Sequence, residues 1–412
     1  MDFEDTAEEA KFRSEARSWL AANAKPRRGK DSGDEMDVTE DRDSMAAAKA
    51  WQAKKAERGF ARITWPKEVG GLGGTAMQQV IYNQEEAKFD VASGASFAIG
   101  LGMCIPTLMA YGSKESIARH VNTALKGDEI WCQLFSEPAG GSDVAGLRMR
   151  AEKHGDEWII NGQKIWTSGA HYSDWGLLLT RTDANAQKHK GLTMFYLSMK
   201  SPGVEVRPIK QASGGANFNE VFFTNVRIPD SQRLGNVGDG WKAALTTLMH
   251  ERLAVGGGLG GGLDVKELLS LARTLELEDG PAIKNASVRE RIADWYVRSA
   301  GLKYTTYRTM TALSRGQQPG PEASIAKVVV ASKLQDISAF AMELEGEVGA
   351  LKGEDAPDHG AFQMGWMAAP GLRIAGGTDE ILRNIIAERV LGLPPDMRAD
   401  KDLPFNQLPS GR

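Results

Sequence analysis

Apolar positions recur at helical spacing to about Lys126, follow a strand pattern from Ile130 to Pro229, and return to helical spacing after Gly240. The spacing predicts a helix over Asp5–Ala24, with Phe12, Ala16, Trp19 and Leu20 on one face. Further helices are predicted over Met45–Arg58 and Met77–Lys88. Between the first two lies Lys25–Asp43, basic and then acidic, which reads as a solvated surface loop. Trp65–Gly74, WPKEVGGLGG, reads as a Pro/Gly-rich turn. In the middle, Asn161-Gly162 stands between two β-prone runs and predicts a hairpin. Gly176–Thr182, Leu192–Met199, Val204–Ile209 and Asn219–Ile228 predict further strands. Long helices are then predicted over Trp241–Val255, Leu263–Leu275, Val288–Ser314, Glu322–Leu344 and Thr378–Leu391, followed by an irregular Pro-rich tail from Pro394. The order is helices, a β domain, then a helical bundle, an α+β arrangement.

Four segments carry candidate chemistry. The first is Trp131–Gly146, WCQLFSEPAGGSDVAG. Its small residues let backbone N–H groups approach an anion, and the Ser142 hydroxyl can donate to a phosphate oxygen. The second is Gln163–Ala170, QKIWTSGA, where a Trp stands beside two hydroxyls. Such a group reads either as a core Trp with turn residues or as a wall for a flat cofactor ring. The third is Gly240–Leu263, with Trp241, Ala244, Leu245 and Leu248 as an apolar stripe that Glu251 continues. A carboxylate on such a face is desolvated toward the proton affinity of a general base; the alternative is an ion pair with Arg252 or another helix. Six glycines crowd positions 256–262, read either as room for a bulky ligand group or as a loop. The fourth is Ala375–Pro394, where Thr378 is an N-cap with Asp379 and Glu380 in the first turn, and Ile381, Leu382, Ile385 and Ile386 form the buried face.

In their order and spacing, and together with WPKEVGGLGG, these segments resemble the acyl-CoA dehydrogenase family. The resemblance is strongest to bacterial members whose base sits in a Glu-Arg-Leu, here Glu251-Arg252-Leu253, including some that form α2β2 assemblies. It implies an N-terminal α-helical domain (1–128), a middle β-barrel or sandwich domain (129–235), a C-terminal four-helix bundle (236–395) and a tail (396–412). It also implies non-covalent FAD, contacted by Gln133, Phe135, Ser136, Gly141, Ser142, Trp166, Thr167, Ser168, Thr378 and Glu380. The implied reaction is α,β-dehydrogenation of an acyl-CoA to the trans-2-enoyl-CoA. Glu251 would take the α-proton and flavin N5 the hydride. Gly376 stands where many members carry the base, and it would offer its N–H to the thioester carbonyl. Ser142, Arg252, Gly376 and Gly377 would touch substrate, and Arg252 would help hold the Glu251 geometry.

Two departures bear on the cofactor. The family's Arg-x-x-Phe-Gly and Gln are missing from 272–294, and Glu345-Gly346-Glu347-Val348-Gly349 replaces its Gly-Gly-x-Gly. The implied partners are an electron-transferring flavoprotein and other subunits, in a homodimer or homotetramer or an α2β2 heterotetramer. Rival readings are an acyl-CoA oxidase or other flavoenzyme on the same scaffold, and a poorly active partner subunit.

Composition narrows the field. The net charge of −4 offers no broad attraction to nucleic acid. No apolar run of membrane-spanning length is present, and the acidic N-terminus lacks a secretory h-region. The two cysteines, Cys104 and Cys132, fit a reduced cytoplasm as buried apolar residues. The six histidines form no metal motif, so no metal is expected.

Overall fold

The computed structural model describes residues 5–27, 42–258, 263–315, 317, 320–351, 353–397, 400 and 403–408; the side chains of 42, 251–258, 313, 314, 323 and 354 are outside the description. Most of the charge-dense insert and part of the glycine cluster therefore lie outside the described residues. The described chain forms two compact units, one from 5–27, 83–90 and 255–395, the other from 42–82, 91–254 and 396–408.

The second unit contains helices α2 (Arg42–Arg58), α4 (Ala95–Ile99), α5 (Ile105–Tyr111) and α6 (Lys114–Lys126), together with an eight-stranded sheet. Its strands are β3 (Trp131–Leu134), β4 (Arg150–His154), β5 (Glu157–Ser168), β6 (Trp175–Arg181), β7 (Leu192–Ser198), β8 (Val204–Ile209), β9 (Phe218–Pro229) and β10 (Arg233–Leu234). They run in the order β10-β7-β6-β4-β5-β9-β8, with β3 parallel to β6. Alternate residues of β6 and β7 enter two different cores. Leu177, Leu179, Met194 and Tyr196 join Leu101, Ile105 and Leu108, whereas Leu178, Phe195 and Leu197 join Val221 and Phe223. With both faces covered, these strands read as continuous apolar runs. Cys104 and Cys132 are buried free thiols, and burial pushes Cys132 up to about 12.

The hairpin expected at Asn161-Gly162 is not there. β5 runs straight through it, and the hairpin turn is Gly155-Asp156, between His154 and Glu157, which pair across β4 and β5. Asn161 instead faces an extra residue in β9. Its Oδ1 accepts from the Asn225 N–H at 2.8 Å, where Asn225 takes φ +50°. Gly162 is needed for packing, since a Cβ there would lie 2.8 Å from Met149 Cγ.

α7 (Gly240–Gly258) also differs from the expected stripe. Gly240, Ala243, Ala244 and Thr247 are its buried face, while Leu245 is 47% exposed. Thr247 sets that orientation through its 2.8 Å hydroxyl contact with buried Thr107. The tail is irregular but anchored: the Phe405 and Asn406 N–H groups donate to the Ala186 and Ala184 carbonyls, and the Phe405 ring lies 3.4 Å from the buried Arg181 guanidinium.

The first unit contains α1 (Ala7–Asn23), a short β1–β2 pair (Lys25–Pro26 with Phe89–Asp90), α8 (Val265–Thr274), the β11–β12 pair (Glu276–Leu277 with Gly280–Pro281), α9 (Ala286–Ser314), α10 (Ala323–Glu345), α11 (Ala361–Ile374) and α12 (Asp379–Arg389). The remaining helix, α3 (Ala76–Glu86), contributes residues to both units. Thr6 and Glu9 form a capping box at the start of α1, and Phe12, Ala16 and Leu20 are buried. Arg13, Arg17 and Lys88 surround the fully buried carboxylate of Glu85 at 3.1, 2.9 and 2.8 Å. The bundle core joins Leu268 and Leu271 to Trp295, Leu334, Ile337 and Phe362. α11, with Pro370 inside it, has no counterpart among the predicted helices. On α12 Thr378 is the N-cap as expected, its Oγ1 accepting from the Ile381 N–H at 3.2 Å. The buried face is corrected: Leu382 and Asp379 are buried, whereas Ile381 is exposed. Asp379 takes the inward place because it meets cations there.

Candidate functional site

The first two motifs meet on β5. Lys164 is fully buried, and its Nζ donates to the Phe135 carbonyl at 3.0 Å and to Glu137 Oε1 at 2.9 Å. Glu137 also accepts from the Arg148 and Met149 N–H groups at 2.7 and 3.0 Å. The Ile165 N–H donates to the Ser136 carbonyl at 3.0 Å. The Ser-Glu-Pro turn and the Lys-Ile-Trp strand are therefore one fixed object. Burial lowers the proton affinity of Lys164, and Glu137 opposes that loss.

Between Lys164 and Thr167, β5 carries one more residue than β9. This bulge re-aims the chain. Trp166 adopts φ +59°, a left-handed conformation that a bulky side chain takes only under constraint. Its ring is 58% exposed and touches the Phe218 edge at 6.2 Å between centroids. Beneath it, the Thr167 carbonyl accepts from buried Asn219 Nδ2 at 2.9 Å. Thr167 Oγ1 is buried with no partner. Ser168 is half-buried at the end of β5. Gln133 is half-buried on β3, and Ser136 is half-buried just beyond it. The Phe135 side chain packs into the core, leaving its backbone to the turn.

Gly141 and Ser142 are exposed, in a loop anchored at Glu137, which exchanges backbone hydrogen bonds with Gly140 at 3.0 and 2.9 Å. At the other end Asp143 pairs with Lys188 at 2.8 Å, and Lys188 also holds Asp400 of the tail at 2.7 Å. The surface thus offers an open aromatic face and an exposed Gly-Ser loop, with the unpartnered Thr167 hydroxyl buried behind the strand that carries the ring. Those groups fit a flat ring with an anionic extension, the shape of a flavin dinucleotide.

Glu251 and Arg252 lie in α7, but their side chains are outside the described residues. The preceding residue, His250, is described, and its proton affinity is lowered by burial and then by the charge of Arg62.

In the other unit Gly376 and Gly377 take φ +66° and +94°, an excursion that glycine allows without strain. Gly376 is exposed, Thr378 is half-buried and Glu380 is exposed. Lys327, buried on α10, donates to the Gly377 carbonyl at 2.6 Å. Asp379 accepts from Arg373 Nε at 2.7 Å and lies 3.8 Å from Lys327. Burial lowers the Lys327 proton affinity against the pull of Asp379. The turn before α12 is therefore pinned by charges.

The residues missed by sequence reasoning are the ones that hold these pieces: Glu137, Lys164, Asn219, Lys327 and Asp379. Lys164 carried a signal, because it falls on the inward alternation of β5 with Trp158 and Ile160. Lys327, within an apolar run of α10, carried another.

A β unit that presents a strained, exposed Trp and an exposed Gly-Ser loop, joined in one chain to a helical bundle, fits a flavin-type oxidoreductase scaffold. The acyl-CoA dehydrogenase N-terminal domain family matches residues 6–128, the middle domain family residues 132–226 and the C-terminal domain family residues 238–391. The chain is 34% identical over 394 residues to the acyl-CoA dehydrogenase IpdE1 of Mycobacterium tuberculosis, covering 94% of this chain and 98% of that one. It is 36% identical over 343 residues to acyl-CoA dehydrogenase FadE34 of the same organism, covering 83% of this chain but spanning only 46% of FadE34. Among solved structures, the ChsE4-ChsE5 complex from Mycobacterium tuberculosis superposes with a TM-score of 0.76 at 28% identity, over 96% of this chain and all of that one. The chain belongs to the acyl-CoA dehydrogenase family, flavoprotein oxidoreductases of lipid metabolism whose cofactor is FAD. Among the described residues, no helix is long and apolar enough to cross a membrane, and no group of metal-ligating side chains forms.

Proposed function

We propose that this chain is the catalytic subunit of an FAD-dependent acyl-CoA dehydrogenase, converting an acyl-CoA thioester to its trans-2-enoyl-CoA. The observation that carries the reading is Trp166, strained at φ +59° on a bulge and left 58% exposed. Gln133, Ser136, Trp166, Thr167 and Ser168 would hold the ring, with Phe135 contributing backbone, and Gly141 and Ser142 would hold the pyrophosphate. Thr378 and Glu380 would complete the cofactor contacts. Bound there, FAD supplies the acceptor for the substrate's β-hydrogen. Glu251 removes the α-proton. The Gly376 N–H donates to the thioester carbonyl oxygen as negative charge develops there, a type of contact worth roughly 3–4 kcal/mol. Gly377 and Ser142 line the thioester, and Arg252 keeps the Glu251 helix in place.

The reading keeps the three-part division 1–128, 129–235 and 236–395. It assigns an electron-transferring flavoprotein as acceptor and the cytoplasm as compartment. It places the chain in an oligomer, a homodimer, a homotetramer or an α2β2 heterotetramer; the likeness to the ChsE4-ChsE5 complex supports an assembly with a second kind of chain. The test is to purify the protein with its cofactor and mix it anaerobically with a panel of acyl-CoA thioesters. The reading expects one class to decolourise the flavin and yield a product lighter by two hydrogens. A preparation that binds no FAD, or one that no acyl-CoA reduces, would overturn it.

A further inference from the structure

The C-terminal tail ends on the two cations that hold one side of the Gly141–Ser142 loop. On its entry side the loop is closed by the paired backbone bonds of Glu137 and Gly140, without help from the tail. Its exit side has two holds. Lys188, a buried residue, pairs with Asp143 at 2.8 Å. Arg181, also buried, donates from Nη2 to the Ala145 carbonyl at 2.6 Å, from Nε to the Leu147 carbonyl at 3.0 Å and from Nη1 to the Lys188 carbonyl at 3.1 Å. One guanidinium therefore ties the loop exit to the connection between β6 and β7.

Each hold carries a tail residue. Asp400 Oδ2 lies 2.7 Å from Lys188 Nζ, so one ammonium joins a carboxylate of the loop to a carboxylate of the tail. Phe405 lies over Arg181, with the guanidinium carbon 3.4 Å from the ring centroid, and the Arg148 guanidinium carbon stands 5.7 Å from the same ring. The ring is set in place by its neighbours. The Phe405 and Asn406 N–H groups donate to the Ala186 and Ala184 carbonyls at 2.9 and 3.0 Å, and Asn406 Nδ2 donates to Asn185 Oδ1 at 2.9 Å.

The three acceptors of Arg181 are neutral carbonyls, for which water is a ready competitor. A ring face stabilises the cation and keeps water from that side, which strengthens the remaining hydrogen bonds. Burial pushes Arg181 down to about 10 against the pull of Glu137 and Asp143, so its charge depends on this cover. A loop that presents backbone N–H groups and a hydroxyl to an anion binds it only as tightly as the loop is preorganised.

We propose that Phe405 and Asp400 are positioning residues for the cofactor's pyrophosphate, acting through Arg181 and Lys188 on the Gly141–Ser142 loop. The inference rests on the reading that this loop receives the pyrophosphate. The tail is then part of the cofactor site, although neither residue touches the cofactor.

The experiment compares the full chain as purified with the double variant Phe405→Ala/Asp400→Asn, with Phe405→Tyr, and with Thr6→Ala. The last removes the α1 cap in the other unit and controls for a general loss of stability. Hydrogen exchange reads the amides of 141–147, and the rise of flavin fluorescence on dilution reads FAD release. In the double variant those amides should exchange about tenfold faster while the core amides of β7 and β9 stay protected, as expected for a local opening. FAD should leave it about tenfold faster, a change confined to the cofactor's dissociation. Phe405→Tyr keeps the ring face and should match the wild type in both readings, and so should Thr6→Ala. Unchanged exchange at 141–147 in the double variant would overturn the proposal. So would an equal acceleration in Thr6→Ala, or faster exchange with unaltered FAD release. A wild-type protein that carries no FAD would instead sink the dehydrogenase reading, and the exchange measurement would still decide whether the tail holds the loop.

Discussion

Lys164 shows how much of a site can rest on a residue that touches no ligand. Its ammonium is fully buried and holds together the turn and the strand that present Trp166. Lys164→Met leaves the Glu137 carboxylate buried with only backbone donors, and removing one partner of a buried pair costs roughly 3–5 kcal/mol. Urea unfolding should register that loss, and the purified variant should carry less FAD. The double variant Lys164→Met/Glu137→Gln should recover part of the stability, because no uncompensated charge remains. Trp166 makes the opposite prediction. Left-handed backbone at a bulky residue stores about 1–3 kcal/mol, and an exposed ring contributes little packing. Trp166→Gly should therefore leave the apoprotein's unfolding midpoint unchanged or raise it while weakening flavin binding. A fall in both would mean that the bulge is not strained.

At the scale of elements, what was legible followed from periodicity. β8 and α1 were predicted close to their bounds because one alternates along the strand and the other repeats at helical spacing, and β7 because its continuous apolar run is bounded by turn residues. Thr378 was legible for the same local reason, a hydroxyl placed before an acidic first turn; Thr378→Ala should lower stability by about 1 kcal/mol. Asn161-Gly162 misled because its role is non-local. The asparagine answers an extra residue in β9 and the glycine makes room for Met149, neither of which a local dipeptide rule can detect. Gly162→Val should destabilise the protein, since its φ of +146° and its contact with Met149 both oppose a side chain. The α7 stripe was read one position off, because Thr247 pairs inward with Thr107 and counts as buried despite its hydroxyl. The motifs of the candidate site were visible in the sequence; the buried charges that anchor them were not, because their partners are distant in the chain.

For the whole molecule, two ionic anchors fix how stability responds to pH and to the tail. Arg17, Lys88 and Arg13 hold Glu85 at about 2 against the opposing push of burial, compared with an ordinary 4.5. The folded value is the lower one, so ionised Glu85 stabilises the protein above about pH 4.5, and that contribution disappears as the pH falls toward 2. Glu85→Gln should flatten the pH dependence of unfolding in that window. Phe405 covers the Arg181 guanidinium, and Phe405→Ala should lower stability by about 1–2 kcal/mol, read as a shift in the denaturant midpoint. The central claim concerns Glu251, and anaerobic titration of wild type and Glu251→Gln with the same reducing acyl-CoA tests it most directly. The account predicts that both proteins bind FAD and substrate, that the wild-type flavin absorbance bleaches, and that the variant's does not. Full bleaching of the Glu251→Gln flavin would contradict it.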